Sequence, residues 1–158
     1  MPPTSIVLRP EVFSEDYIPQ VLHAREEHLE QLMSCLAPAL KRRKPLHALL
    51  IGPSGTGKSL VARTALAKLR AQSVASVYIN CCEASSLYAI LDAIIHELVI
   101  LRAEKIDTTF KLKAINDRLR GKPLVVVLDE IDRLSPKERS AAIYNLTTMG
   151  STGLSVFP

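Results

Sequence analysis

The sequence has too few cysteines and too short apolar runs for several classes of protein. Its 158 residues include three cysteines, two of them adjacent, which cannot build a disulfide framework and agree with a reducing compartment. No apolar run approaches the roughly 20 residues that span a bilayer, and the N-terminus lacks the basic stretch and apolar core of a signal peptide. A charged fraction of 23% excludes wholesale disorder. We therefore expect a soluble intracellular chain with one buried core.

Acidic residues are missing altogether from residues 41–80, which carry eight Lys or Arg and a local charge of +8. Residues 1–40 carry two basic and six acidic side chains (−4), and residues 81–158 carry ten of each, so the whole chain has a net charge of +4. Half of the basic block is the run Lys41-Arg42-Arg43-Lys44. Such a run is typical of a solvated linker or helix end, and contact with nucleic acid is the alternative.

Aliphatic segments alternate with amphipathic ones after an irregular, proline-containing stretch over residues 1–24. Apolar spacing predicts helices over residues 25–40, 59–70, 86–101 and 109–120, and strands over residues 46–51, 76–80 and 124–128. Ser135 is placed to cap a last helix, with Glu138 completing a capping box. Strands separated by helices predict a three-layer α/β fold with a parallel sheet.

A glycine-rich segment, Gly52-Pro53-Ser54-Gly55-Thr56-Gly57-Lys58-Ser59, joins the first predicted strand to a helix. It matches the phosphate-loop pattern G-x-x-x-x-G-K-[ST], whose glycines let consecutive N–H groups face an anion. Lys58 is placed to reach the β- and γ-phosphates, and the Ser59 hydroxyl to ligate Mg²⁺. The predicted nucleotide-binding residues are Pro53, Ser54, Gly55, Thr56, Gly57, Lys58, Ser59 and Leu60. A glycine-rich turn that binds nothing is the alternative.

The strand predicted over 124–128 leads into two carboxylates, Asp129 and Glu130. Parallel sheets bind ligands at the carboxyl ends of their strands, so Asp129 is the predicted magnesium ligand, acting through water. Glu130 is the predicted catalytic base or orienting group for the attacking water, with Lys58 as its catalytic partner. Asp132 extends the pattern to D-E-x-D, or pairs with Arg133 or Lys137.

Three further segments accompany these motifs: Tyr17-Ile18-Pro19, then Arg25-Glu26, and a strand that ends in Asn80-Cys81. With the phosphate loop and Leu128-Asp129-Glu130-Ile131-Asp132, the combination resembles the AAA+ initiators of archaeal and eukaryotic DNA replication, the origin-recognition-complex and cell-division-control-six family. The resemblance covers nearly the whole chain. It implies that the adenine lies against Tyr17, Ile18, Pro19 and Arg25. Ala24 stands where the family has a histidine.

The resemblance also implies a function, in which ATP acts as a switch for origin DNA binding and helicase loading. The implied cofactors are ATP or ADP with Mg²⁺. The implied partners are origin DNA, other initiator subunits and the replicative helicase, and no membrane is implied as a partner. The location would be cytoplasmic and nucleoid-associated in an archaeon, or nuclear in a eukaryote. Residues 1–24 would form an adenine-side segment and residues 25–158 a partial AAA+ domain that stops before the family's sensor, arginine finger and lid. Because a missing arginine finger slows related enzymes by about 10³–10⁵, we expect nucleotide binding with feeble hydrolysis.

The same residues also allow other interpretations of the function. Another AAA+ or signalling ATPase, such as a transposition helper, would carry the same loop, and a superfamily-two helicase would carry a similar acidic box. A module that keeps the fold only as an interaction surface is a further alternative. Initiators place a DNA-contacting insertion after the Asn-Cys strand, which makes the Lys and Arg side chains of residues 102–120 candidates for contacts with the DNA backbone, although surface helices carry such charges anyway. Removal of Arg102, Lys105, Lys111 and Lys113 would test these candidates.

Overall fold

Helices, in pairs or singly, precede and separate the strands of the described chain. The computed structural model describes residues 10, 17, 19, 22, 24–98, 107–149 and 154–157. In chain order the elements are α1 (Glu26–Leu40), α2 (Lys58–Ala71), β1 (Ala75–Asn80), α3 (Leu87–Glu97), α4 (Thr108–Leu119), β2 (Leu124–Asp129), a 3₁₀ turn (Ile131–Arg133), α5 (Pro136–Thr148) and β3 (Leu154–Phe157). No helix among these residues is long and apolar enough to cross a bilayer.

The three strands form one parallel sheet in the order β1-β2-β3. The register places Ala75 opposite Leu124 and Asn80 opposite Asp129, so β1 and β2 end side by side. On the other side of β2, Leu124 pairs with Leu154. The five aliphatic residues 124–128 are almost completely buried, as expected for a central parallel strand.

Successive residues of β2 face two different helical layers, because side chains alternate across a strand. The even-numbered residues 124, 126 and 128 join an apolar cluster with α3, α4 and α5. Val125 and Val127 join a second cluster, which contains α1 and α2. The predicted three-layer α/β fold is therefore confirmed, and Asp129 follows on the side of the sheet that α1 and α2 cover.

The strand predicted over residues 46–51 is wrong, since residues 44–53 have no regular secondary structure. Ala48 and Leu50 pack against the cluster around α1 and α2, whereas Leu46, Leu49 and Ile51 are 63%, 63% and 84% exposed. An aliphatic run has strand propensity, but a strand also needs a neighbour for its backbone hydrogen bonds. The described sheet contains β1, β2 and β3 and gives this segment no such neighbour.

The start of α5 differs from the prediction in one contact. The Ser135 hydroxyl accepts a hydrogen bond from the Glu138 N–H (3.3 Å), so the predicted N-cap is confirmed. The Glu138 carboxylate accepts from the Leu87 N–H (2.8 Å), and thereby satisfies the start of α3 rather than closing a capping box. The local sequence pattern could not reveal a partner that lies 51 residues away.

Candidate functional site

The glycine-rich segment adopts a backbone that favours glycine at two of its positions. Gly55 has φ +76° and Gly57 has φ +83°, both in the left-handed region where a side chain is strained. Gly57 is the N-cap of α2, so the helix begins at Lys58 with unpaired N–H groups at the loop. A Cβ on Gly52 would come within 3.3 Å of Thr56 Oγ1, across the loop. The segment is therefore a tight cradle that opens directly onto a helix N-terminus, a geometry suited to an anion.

The Lys58 side chain folds back over this cradle. Its Nζ donates to the carbonyl oxygens of Gly52 (2.8 Å) and Pro53 (3.0 Å). The Thr56 hydroxyl also donates to Pro53 O (2.8 Å). Because both lysine acceptors are neutral and exposed, a phosphate group would be a stronger partner for the ammonium.

Arg25 ties the start of α1 to the phosphate loop. Its Nε donates to Thr56 O (2.8 Å) and its guanidinium also reaches Ala24 O (3.2 Å). Ala24 itself has φ +57°, which turns the chain just before the helix. The structure thus brings Arg25, predicted as an adenine-side residue, against the loop backbone.

A cavity of about 470 Å³ opens beside the loop, between α1 and residues 48–53. That volume lies within the range of about 300–1,000 Å³ common for small-molecule sites. Arg25, His28, Gln31 and Cys35 line it from α1. They recur every three or four residues, so helical periodicity starting at Arg25 could have identified the last three, which the sequence interpretation missed. Tyr17, Ile18 and Pro19 were also predicted to lie against the adenine. Tyr17 and Pro19 are half-buried and do not line this cavity, and Ile18 lies outside the described residues.

The Asp129 carboxylate ends β2 and is held at both of its oxygens. Tyr78 Oη donates to Asp129 Oδ2, and the Glu130 N–H donates to Oδ1 (3.0 Å). Burial, and then the hydrogen bond to Asp129, raise the pKa of the Tyr78 hydroxyl, while Arg63 opposes the shift. The phenol is consequently protonated at neutral pH and acts as the donor. The sequence interpretation did not identify Tyr78 as part of the site.

Glu130, the predicted catalytic carboxylate, follows in a left-handed conformation with φ +55°. Arg133 Nε donates to Glu130 Oε2 at 3.5 Å, so Arg133 pairs with Glu130 and not with Asp132 as one prediction had it. Both side chains are exposed, and exposed pairs of this kind contribute only about 0–1 kcal/mol. The pair therefore holds Glu130 weakly and leaves it able to turn toward a substrate.

The adjacent cysteines follow directly after the end of β1. Cys81 is buried, and burial is the main cause that raises its thiol pKa to about 11, with Asp129 the second cause. Cys82 is exposed. Within the described part of the chain, no three His, Cys, Asp or Glu residues are grouped in a way that could hold a metal ion.

Lys111 does not fit its predicted role as a DNA contact. It is only 1% exposed and lies between α3 and α4, with Nζ 2.5 Å from Asp92 Oδ1 and 3.0 Å from the centre of the Tyr88 ring. A buried, paired ammonium cannot also reach a DNA phosphate from this position. Lys113 is exposed, and Arg102 and Lys105 lie outside the described residues.

Fold and loop together define the class of the protein. The fold has three layers around a parallel sheet. A glycine cradle lies at the start of α2, and a carboxylate lies at the end of the central strand. These are the features of a P-loop nucleoside-triphosphatase fold. In agreement, residues 21–157 match the family model described as the AAA ATPase domain, and the chain belongs to this family.

Individual proteins similar to this chain indicate the type of AAA ATPase more specifically than the family model does. The chain is 38% identical to ORC1-type DNA replication protein 1 of Aeropyrum pernix over 133 residues, which cover 78% of this chain and 33% of that protein. Its structure resembles Cdc6p from Pyrobaculum aerophilum, with a TM-score of 0.81 and 27% identity over 97% of this chain and 43% of the other. It also resembles the Aeropyrum pernix ORC1 protein in complex with DNA, with a TM-score of 0.75 and 34% identity over 90% of this chain and 40% of the other.

These relatives confirm the predicted resemblance to the archaeal type of replication initiator. The chain spans between 33% and 39% of the length of the first curated relatives that it matches.

Proposed function

We propose that this chain binds ATP with Mg²⁺ as the nucleotide-binding part of a DNA replication initiator. The observation that carries the proposal is the phosphate loop. Two glycines have left-handed backbones there, α2 begins at the loop, and Lys58 folds across it onto two neutral carbonyls. A polyphosphate would replace those carbonyls as the lysine's partner and would meet the unpaired N–H groups of the helix.

The residues present suit a magnesium nucleotide. A Cβ would crowd the cradle at Gly52, as expected of a backbone that closes around a small anion. Ser59, the second residue of α2, and Asp129, at the end of β2, are the oxygen donors that Mg²⁺ prefers. When bound, the ion would neutralise charge on the β- and γ-phosphates. Glu130 would orient the attacking water in any hydrolysis that the chain supports.

The nucleoside would occupy the cavity next to the loop. Arg25 both lines this cavity and binds Thr56 O, so it connects the nucleoside end of the site to the phosphate end. We keep the proposal that Tyr17, Ile18 and Pro19 lie against the adenine. We keep residues 1–24 as this adenine-side segment and residues 25–158 as the AAA+ portion.

The relatives favour a replication initiator over a transposition helper or a helicase. The Aeropyrum pernix ORC1 structure is a complex with DNA, and we propose origin DNA as a partner of this chain. Other initiator subunits and the replicative helicase are proposed on the same ground. The proposed location is the nucleoid in the cytoplasm of an archaeon, or the nucleus of a eukaryote.

A nucleotide-binding titration with Mg²⁺ tests the proposal. We expect Lys58→Ala to weaken ATP binding about tenfold or more, because one or two charge-assisted hydrogen bonds are lost. Lys68→Ala is the matched control, since Lys68 is an exposed lysine of the same helix, and it should bind like the wild type. Equal and negligible binding by wild type and Lys58→Ala would contradict the proposal and favour a module that keeps the fold only as an interaction surface.

A further inference from the structure

Tyr78 makes a hydrogen bond to Asp129, one of the two proposed magnesium ligands. In the β1–β2 register it lies opposite Val127, one alternation before the pair of Asn80 with Asp129. Tyr78 packs against the apolar cluster that contains Val127, so its side chain is on the face that α1 and α2 cover. From that position its hydroxyl donates to Asp129 Oδ2.

Arg63 continues this connection into α2. Its guanidinium carbon lies 4.3 Å from the centre of the Tyr78 ring, within the range of a cation–π contact. Arg63 is four residues after Ser59, so both side chains lie on the same side of the helix. The helix that carries one proposed magnesium ligand thus contacts the tyrosine that binds the other.

The Asp129 carboxylate has little rotational freedom in this arrangement. One oxygen accepts from the Glu130 N–H at 3.0 Å and the other from Tyr78. Each oxygen keeps a further acceptor position, and these positions suit a water molecule bound to the metal. A hydrogen bond to a metal-binding group typically fixes its orientation and tunes its affinity for the metal.

We propose that Tyr78 is a positioning residue, which orients the Asp129 carboxylate toward magnesium, and that Arg63 holds the Tyr78 ring in place for this task. The inference rests on the proposed function, because it needs Asp129 to face a bound magnesium nucleotide. Tyr78 belongs to β1, a strand that carries neither the phosphate loop nor the acidic motif.

Tyr78→Phe removes the hydroxyl and keeps the ring beneath Arg63. ATP binding is measured by titration calorimetry in EDTA and at a series of Mg²⁺ concentrations. We expect the Mg²⁺ concentration at half-maximal enhancement of binding to rise about tenfold, the low end of the usual effect of losing a hydrogen bond to a metal ligand. ATP binding in EDTA should change less than about twofold, since the phenol contacts neither the loop nor its lysine in the described structure. Tyr144→Phe, which removes an exposed hydroxyl from α5, is the matched control and should leave the Mg²⁺ dependence unchanged.

Two further variants test the connection. In an Asp129→Ala background, Tyr78→Phe should have no additional effect on the Mg²⁺ dependence, because the two groups act through one hydrogen bond. Arg63→Gln should shift the Mg²⁺ dependence in the same direction as Tyr78→Phe, by a smaller factor. An additive double variant, or an unchanged Arg63→Gln, would overturn the corresponding step of the inference.

The possible failures are distinguishable. If the wild type binds no ATP with or without Mg²⁺, the proposed function fails, and the inference with it. If the wild type binds and Tyr78→Phe has the same Mg²⁺ dependence, only the inference is overturned. An equal loss of binding in EDTA and in Mg²⁺ would also overturn it, because that result is expected of a tyrosine that merely supports the fold.

Discussion

The ion pair between α3 and α4, in which only the lysine is buried, predicts a larger loss of stability when Asp92 is removed than when Lys111 is replaced. Lys111 is 1% exposed and Asp92 is 53% exposed, and Tyr88 offers its ring face to the same ammonium. Among the described residues the ammonium makes no well-directed hydrogen bond, so its charge depends on the carboxylate and the ring. Removing Asp92 would leave a buried cation without its counter-charge, whereas removing the cation would leave only an exposed carboxylate.

The expected changes in unfolding free energy follow from how deeply each partner is buried. Breaking a fully buried pair by deleting one partner costs about 3–5 kcal/mol, and since Asp92 is half-exposed we expect Asp92→Ala to lose about 2 kcal/mol of unfolding free energy. Lys111→Met fills a similar volume with an apolar side chain, and we expect a change within about 1 kcal/mol of the wild type, in either direction. The assay is equilibrium unfolding in urea, with Asp117→Ala, an exposed acid of α4, as the matched control.

Two results would refute this reasoning. One is an Asp92→Ala variant as stable as Asp117→Ala, which would mean that the buried ammonium does not need its partner. The other is a Lys111→Met variant less stable than Asp92→Ala, which would mean that the charge itself stabilises the fold. The first result would also reopen the hypothesis that Lys111 is available to DNA.

Other consequences are smaller and equally direct. Glu138→Ala removes the carboxylate that accepts from the Leu87 N–H, and urea unfolding should show a loss of about 1–2 kcal/mol. Gly57→Ala places a side chain at φ +83°, so unfolding measurements should show a loss of about 1–2 kcal/mol and calorimetry a weakened ATP affinity. At pH 8, iodoacetamide should modify Cys82 and spare Cys81 in peptide mass spectra, because Cys81 is buried and its raised pKa of about 11 keeps the thiol protonated. As pH rises from the ordinary value of 9.0 toward 11, the Cys81 thiol ionises more readily in the unfolded chain, so stability should fall in that window.

Much of the architecture could be predicted because local patterns and the global fold agree. The branched aliphatic run over residues 124–128 is buried on both faces, as its composition requires. The helices follow their apolar spacing, with small differences at their ends, while residues 99–101 of one predicted helix lie outside the described residues. The phosphate loop could be identified because its chemistry demands glycine, lysine and hydroxyl groups at fixed offsets along one continuous segment.

The errors have a common physical origin, since each depends on a partner distant in sequence. Residues 46–51 have strand composition, but strand formation depends on a neighbouring edge that sequence composition cannot supply. The partner of Lys111 lies on another helix, and only packing determines that its charge is buried. Tyr78 resembles any aromatic residue of a half-buried strand until the register pairs it with Val127, two residues before Asp129, and its hydroxyl reaches the carboxylate.

The loop around Lys58 is proposed to receive the phosphates of a magnesium nucleotide. The most direct measurement is a crystal structure with a non-hydrolysable ATP analogue and Mg²⁺. We predict that Lys58 Nζ leaves the carbonyls of Gly52 and Pro53 for phosphate oxygens, with Mg²⁺ between Ser59 and Asp129. A structure at saturating analogue in which Lys58 keeps its two carbonyl partners and the loop holds no phosphate would contradict nucleotide binding by this loop.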